Sequence, residues 1–272
     1  LEETLRQTAN SVRRQVAVRS RAQDHRTAEV IMSDKSTANA QPSATIRVWD
    51  LPVRLFHWLL VATILVAFLS SEEDGALAPW HVPAGWVAAV LIAFRLVWGL
   101  IGGEHARFAN FLKPGQIAHH LRGLFAGKPE RSIGHNALGG LAIVALLGTV
   151  GGIVYAGATM QGEGGEGLHE ALANILLGLV ALHVVAVVAT SLITRDNLIR
   201  AFITGRKRAA LHPGVPDARP PATLAVPLAV VAIGASTYGA LALDPLAFTP
   251  GAHAEAGERG DGAAAKGEQD DD

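Results

Sequence analysis

Hydrophobic residues along this chain gather into five blocks: Leu51–Ser70, Trp80–Ile101, Gly134–Ala158, Leu168–Thr194 and Thr223–Leu243. Polar, charged or Gly- and Pro-bearing segments separate them. Each block has about the 20 residues that one helical crossing of a bilayer needs. None shows the period-two alternation of a barrel strand. Inside hydrocarbon each backbone polar group must find its partner within the segment, so runs of this kind form helices. The pattern predicts an all-α integral membrane protein, a four-helix transmembrane bundle followed by a fifth C-terminal transmembrane helix.

The segments between the blocks alternate in charge. Ser71–Pro79 carries Glu72, Glu73 and Asp74 and no base, and Thr159–Gly167 carries Glu163 and Glu166. Gly102–Ile133 is basic, with Arg107, Lys113, Arg122, Lys128 and Arg131. Arg195–Ala222 is basic too and contains the run Arg206, Lys207, Arg208. The tail from Asp244 ends in Asp270, Asp271 and Asp272. By the positive-inside rule the N-terminus is expected in the cytoplasm and the C-terminus outside, in the periplasm if the membrane is a bacterial cytoplasmic one. Nothing in this layout points to nucleic acid.

The remaining segments divide accordingly. Residues 1–46 read as a polar, disordered tail, with a short amphipathic helix around Leu5, Ala9, Val12 and Val16 as the competing reading. Met32 opens an ordinary polar N-terminal stretch, so residues 1–31 are expected to be an over-extended start. A cleavable signal peptide is not expected, because no short apolar segment precedes the first block. Residues 47–208 hold the four-helix unit, 209–222 a cytoplasmic linker, 223–243 the fifth span and 244–272 an acidic disordered outer tail. Pro114–Gly127 has an apolar stripe (Ile117, Leu121, Leu124, Phe125) expected to lie on the membrane surface.

Histidine is the residue type that changes this picture. His169 and His183 lie fourteen residues apart in one block. Fourteen helical residues rise ~21 Å and stop ~40° short of four turns, so both imidazoles leave nearly the same face at opposite depths. Ionisable groups inside a span are costly and mark function by default. Depth matching supplies partners: His81 for His169 on the outer side, and His57 or His135 for His183 on the inner side. His57 is the deeper of the two, whereas His135 is expected near the headgroups.

Two neutral imidazoles facing each other across a bundle suit axial ligation of a b-type haem. The chain has no cysteine, which excludes covalent c-type haem, iron–sulfur clusters and thiolate metal sites within it. Gly139, Gly140, Gly148, Gly151, Gly152 and Gly178 can make room for a porphyrin or simply let helices pack closely. Arg54 and Arg95 can pair with haem propionates or snorkel to the headgroups. Asn136, Asn174 and Trp98 are explained by anchoring or packing. The competing class is a haem-free metal or proton transporter using the same histidines. Intramembrane carboxylates, its usual companions, are almost absent here, since Glu170 lies at a span end.

The segments RVWDLPVRLFHW (Arg47–Trp58), FRLVWGLIG (Phe94–Gly102), RSIGHNALGGL (Arg131–Leu141) and LHEALANILLGLVALHVVA (Leu168–Ala186) resemble the bacterial cytochrome b561 family. That family includes the b-type cytochrome subunits of nickel–iron hydrogenases. The likeness covers Thr45 to Arg208. It implies a dihaem b cytochrome with non-covalent bis-His haems, His57 and His183 holding the inner iron and His81 and His169 the outer one. It also implies a role for His135 near the inner haem or a quinone, in a bacterial cytoplasmic membrane. The function so implied is electron transfer across the membrane between a quinone/quinol pool and a redox partner such as a c-type cytochrome or a dehydrogenase. Alternatives are a superoxide-oxidising quinone reductase and a membrane anchor for a periplasmic dehydrogenase complex. The fifth span and acidic tail depart from the family pattern and suggest docking or assembly.

Overall fold

The computed structural model describes residues 45–72, 75–112, 132–160 and 163–253. The N-terminal tail through Ala44, the surface helix expected over Pro114–Gly127 and the acidic tail beyond His253 lie outside the described residues.

Five helices are long and apolar enough to cross a membrane. They are α1 (Leu51–Leu69), α2 (His81–Ile101), α4 (Ala137–Thr159), α5 (Glu163–Thr194) and α7 (Ala225–Leu243). Two short helices, α3 (Phe108–Phe111) and α6 (Leu198–Thr204), lie beside the ends of the spans. This is an all-α multi-pass membrane protein, as the hydrophobic pattern predicts.

Local chemistry sets the ends of these helices. Asp50 caps α1, its Oδ1 accepting from Val53 N at 2.9 Å, with Pro52 in the first turn where its missing N–H costs nothing. Asn136 caps α4 through Gly139 N, and Asn197 caps α6 through Arg200 N. Helix α6 stops at Gly205, whose φ of 77° is the left-handed region that glycine enters without a Cβ penalty. Gly205 O then accepts from both Val48 N and Trp49 N.

Three features depart from the expected layout. Helix α5 begins at Glu163, five residues before the predicted Leu168, because the glycine-rich EGGEG segment is helical. Its 32 residues span ~48 Å, well beyond a bilayer core of ~30 Å, so its ends project. Second, Thr45–Arg47 (β1) pairs antiparallel with Arg206–Arg208 (β2), so part of the expected tail is ordered. Third, Lys207, part of the basic run between the fourth and fifth spans, is buried. Its Nζ sits 2.9 Å from Asp196 Oδ2 and donates to Ser132 O at 2.9 Å. His212 Nε2 reaches the same carboxylate oxygen at 3.2 Å.

Helix α2 is central, packing against α1, α4 and α7, while α4 and α5 form the other close pair. One core lies at the basic end, around Trp49, Val53, Phe56, Phe94 and Trp98, with Ala225 and Ala229 of α7. A second, Ala88, Val150 and Leu176, lies mid-bundle. Large apolar residues such as Leu65, Leu182, Val185, Leu192 and Tyr238 remain on the outer surface. For a membrane protein that surface faces lipid, so its exposure carries no penalty.

Candidate functional site: two histidine pairs at opposite ends of the bundle

At the acidic end, α2 begins with His81 and α5 carries His169 two turns into its length. The two rings face each other, centroids 6.0 Å apart and planes at 60°. His81 Nδ1 lies 3.0 Å from Ala67 O at the end of α1. His169 Nδ1 lies 3.2 Å from Ile153 O of α4. With those nitrogens donating to carbonyls, each ring keeps Nε2 free as a lone-pair donor. Metal-ligating histidines are held this way, the second nitrogen fixing tautomer and orientation. Gly157 permits the placement, since a Cβ there would stand 3.2 Å from His169 Nδ1.

At the basic end the arrangement is denser. His57 lies two turns into α1, its ring 4.8 Å from Phe202 and 5.1 Å from Trp58. Its Nδ1 is buried without a hydrogen-bond partner among the described residues. His183 is within electrostatic reach of it. His135, expected near the headgroups, packs between Trp49 (4.5 Å) and Phe111 (5.2 Å), both just beyond the ends of the spans. Arg95, His183, His105 and His57 are all close enough to His135 to interact with it.

The two arginines fare differently. Arg54 donates from Nε to Phe202 O at 2.8 Å and from Nη2 to Ile203 O. These are the last carbonyls of α6, a common use for a cation at a helix C-terminus. Arg54 is thereby held to α6. Arg95 is 2 % exposed and lies 4.5 Å over the Phe108 ring, with Nη1 buried and without a hydrogen-bond partner among the described residues. Gly99 makes that stack possible, because a Cβ there would meet Phe108 at 2.1 Å.

Asp50, not singled out in the sequence, holds this end together. Trp98, 1 % exposed, is packed, one of its two expected readings: its Nε1 donates to Asp50 at 3.1 Å, and Gly103 N donates to Asp50 Oδ2 at 3.0 Å. One carboxylate thus ties the start of α1 to the end of α2. The Asp-Leu-Pro sequence before an apolar run was the available signal. His105 packs edge-on to Trp49, and burial lowers its pKa against the opposing pull of Glu104. Burial would raise the pKa of Asp196, but hydrogen bonds and charge from Lys207 and then His212 win, so its net shift is downward.

The fit to a haem can be judged from these groups. A transition-metal–imidazole bond is about 2 Å, so two rings bound on opposite sides of one ion have centroids ~6 Å apart. The His81–His169 pair has that separation. Of the glycines considered for making room, Gly148, Gly151 and Gly178 face open space, as does Gly85 one turn beyond His81. Gly139, Gly140 and Gly152 are occupied by close contacts from Asn136, Phe111 and Leu172. At the basic end, His57 Nδ1 and Arg95 Nη1 are buried polar atoms that lack a partner among the described residues. Among the described residues, no group of three or more His, Asp or Glu is placed to hold a metal ion. The facing donors at the acidic end are two imidazoles, a set that suits haem.

A profile for prokaryotic cytochrome b561 matches residues 48–205, which contain both histidine pairs. The chain belongs to the prokaryotic cytochrome b561 family. Its relatives include a protein of Azotobacter vinelandii, 27 % identical over 212 residues, covering 59 % of this chain and 87 % of the relative. Another, from Bradyrhizobium diazoefficiens, is 22 % identical over 231 residues, covering 65 % of this chain and 92 % of the relative. Both are named probable Ni/Fe-hydrogenase B-type cytochrome subunits. This b561 protein is accordingly a membrane b-type cytochrome of electron transfer. Helix α7 lies beyond the residues that the family profile matches.

Proposed function

We propose that this protein carries electrons across a bacterial cytoplasmic membrane through two b-type haems, between the quinone pool and a redox partner on the acidic side. His81 and His169 are the axial ligands at the acidic, periplasmic end. His57 and His183 are the ligands at the basic, cytoplasmic end. The observation that carries this reading is the opposed His81–His169 pair, with both Nδ1 atoms tied to backbone carbonyls.

When bound, haem supplies one-electron chemistry, and the protein supplies ligation, spacing and charge. Helix α5 sets the ligand spacing of ~21 Å between its two histidines. Arg95 is the cation placed to receive a propionate of the inner haem, since its free Nη1 is buried and needs an acceptor. Arg54 has its donors on α6 carbonyls and acts by bracing that helix against α1. His135 lines the inner site beside Arg95 and is a neighbour of the quinone or haem edge rather than an iron ligand.

The names of the relatives favour a dehydrogenase of hydrogenase type as the redox partner. In that reading this chain is both its membrane anchor and its electron outlet. Alanine variants of the four histidines, titrated by potentiometry and low-temperature EPR, test the assignment. Variants at His81 or His169 are expected to lose one haem signal, and variants at His57 or His183 the other. Retention of both signals in any of them would contradict the ligand set.

A further inference from the structure

The fifth helix carries no histidine, yet its outer end is tied to the start of α2 at two points that bracket His81. Asp244, the residue closing α7, accepts from Trp86 Nε1 at 2.9 Å through Oδ2. His253 Nε2 lies 3.0 Å from the same oxygen. Asp244 Oδ1 accepts from Leu246 N at 2.9 Å, turning the chain back over the end of the bundle. Ala247 is wholly buried in that turn. Gly251 N then donates to Pro79 O at 3.1 Å, with the glycine's α-carbon face against the Pro79 ring. Gly251 has a φ of 76°, so this contact needs a residue free to enter the left-handed region.

Pro79 precedes His81 by two residues and Trp86 follows it by five. Five helical residues advance ~7.5 Å and turn ~140° beyond one full turn. Trp86 therefore leaves α2 on the side away from His81, where α7 packs, while His81 faces α5. A tether before the ligand and another behind it resist both sliding and rotation of the first turns of α2. The His81 ring has one further hold, Nδ1 to Ala67 O.

We infer that α7 and its extension Asp244–His253 form a clamp that positions His81 as an axial ligand of the outer haem. Trp86 and Asp244 are positioning residues, and the inference rests on the haem reading above. It gives a local task to a helix that the family profile does not include.

The test uses the full chain carrying Trp86→Phe or Asp244→Ala. Trp86→Phe removes the indole donor without altering charge, so its effect is free of the electrostatic shift that loss of Asp244 brings. Both variants are expected to alter the outer haem's ferric EPR signal and speed its loss to a haem-scavenging protein several-fold, with the inner haem unchanged. Amide exchange over residues 79–86 is expected to rise in both. If Asp244→Ala does not fold, Trp86→Phe decides alone. Unchanged EPR, haem retention and exchange in Trp86→Phe overturn the clamp. A wild-type chain without an outer haem would sink the haem reading instead, and the exchange measurement would still decide whether the tether holds the first turns of α2.

Discussion

Replacing Lys207 by Met removes one partner of a buried ion pair at the basic end. Lys207 and Asp196 side chains are 1 % and 6 % exposed, and their charged atoms lie 2.9 Å apart. Taking away one member leaves the other desolvated, which costs about 3–5 kcal/mol in buried pairs generally. Met keeps nearly the volume of the lysine stem, so a cavity adds little. His212 still reaches Asp196 Oδ2 at 3.2 Å and pulls the cost to the low end, about 3 kcal/mol. For a chain of this size that is roughly 6–12 °C of melting temperature. Thermal unfolding in detergent, followed by circular dichroism, measures it. Asp196→Asn combined with Lys207→Met is expected to cost much less than the sum of the two single changes, because the stranded charge is gone. A melting shift under about 2 °C for Lys207→Met, against the 6–12 °C expected, or strict additivity in the double variant, would refute the reasoning.

Other outcomes follow from the same geometry. The pKa of Asp196 in the folded protein lies below its usual 3.8, so its stabilisation is complete above that value and lost as pH falls through the lowered pKa. In Lys207→Met, burial dominates and the loss is expected to begin at higher pH, which acid titration of the melting temperature checks. Gly157→Val places atoms against His169 and is expected to weaken the outer haem while sparing the inner one, read by EPR. Gly99→Ala drives a Cβ into the Phe108 ring and is expected to cost about 1–3 kcal/mol by overpacking, with Arg95 losing its stacked partner.

The spans were legible because each is a run of apolar residues about one bilayer long, and a bilayer tolerates little else. The meeting of His81 and His169 was legible because helical pitch and loop charge together give each residue a face and an end of the bundle. What stayed hidden depended on contacts distant in sequence. Thr45–Arg47 pairs with a strand some 160 residues away, and three residues of β structure carry no periodic signal. Lys207 looked like any other member of a basic run, because its burial depends on Asp196, Ser132 and His212 converging from three segments. The extra turns of α5 were masked by glycines that read as a loop. Asp50 was visible as a helix cap, but its second and third partners, Trp98 and Gly103, come from the far end of another span.

The central claim concerns how many haems the four histidines hold. Purified chain, expressed with ample haem and assayed by alkaline pyridine haemochrome against amino-acid analysis, measures that number directly. The account predicts two haems per chain, both non-covalent and b-type. One haem per chain, or none, would contradict it.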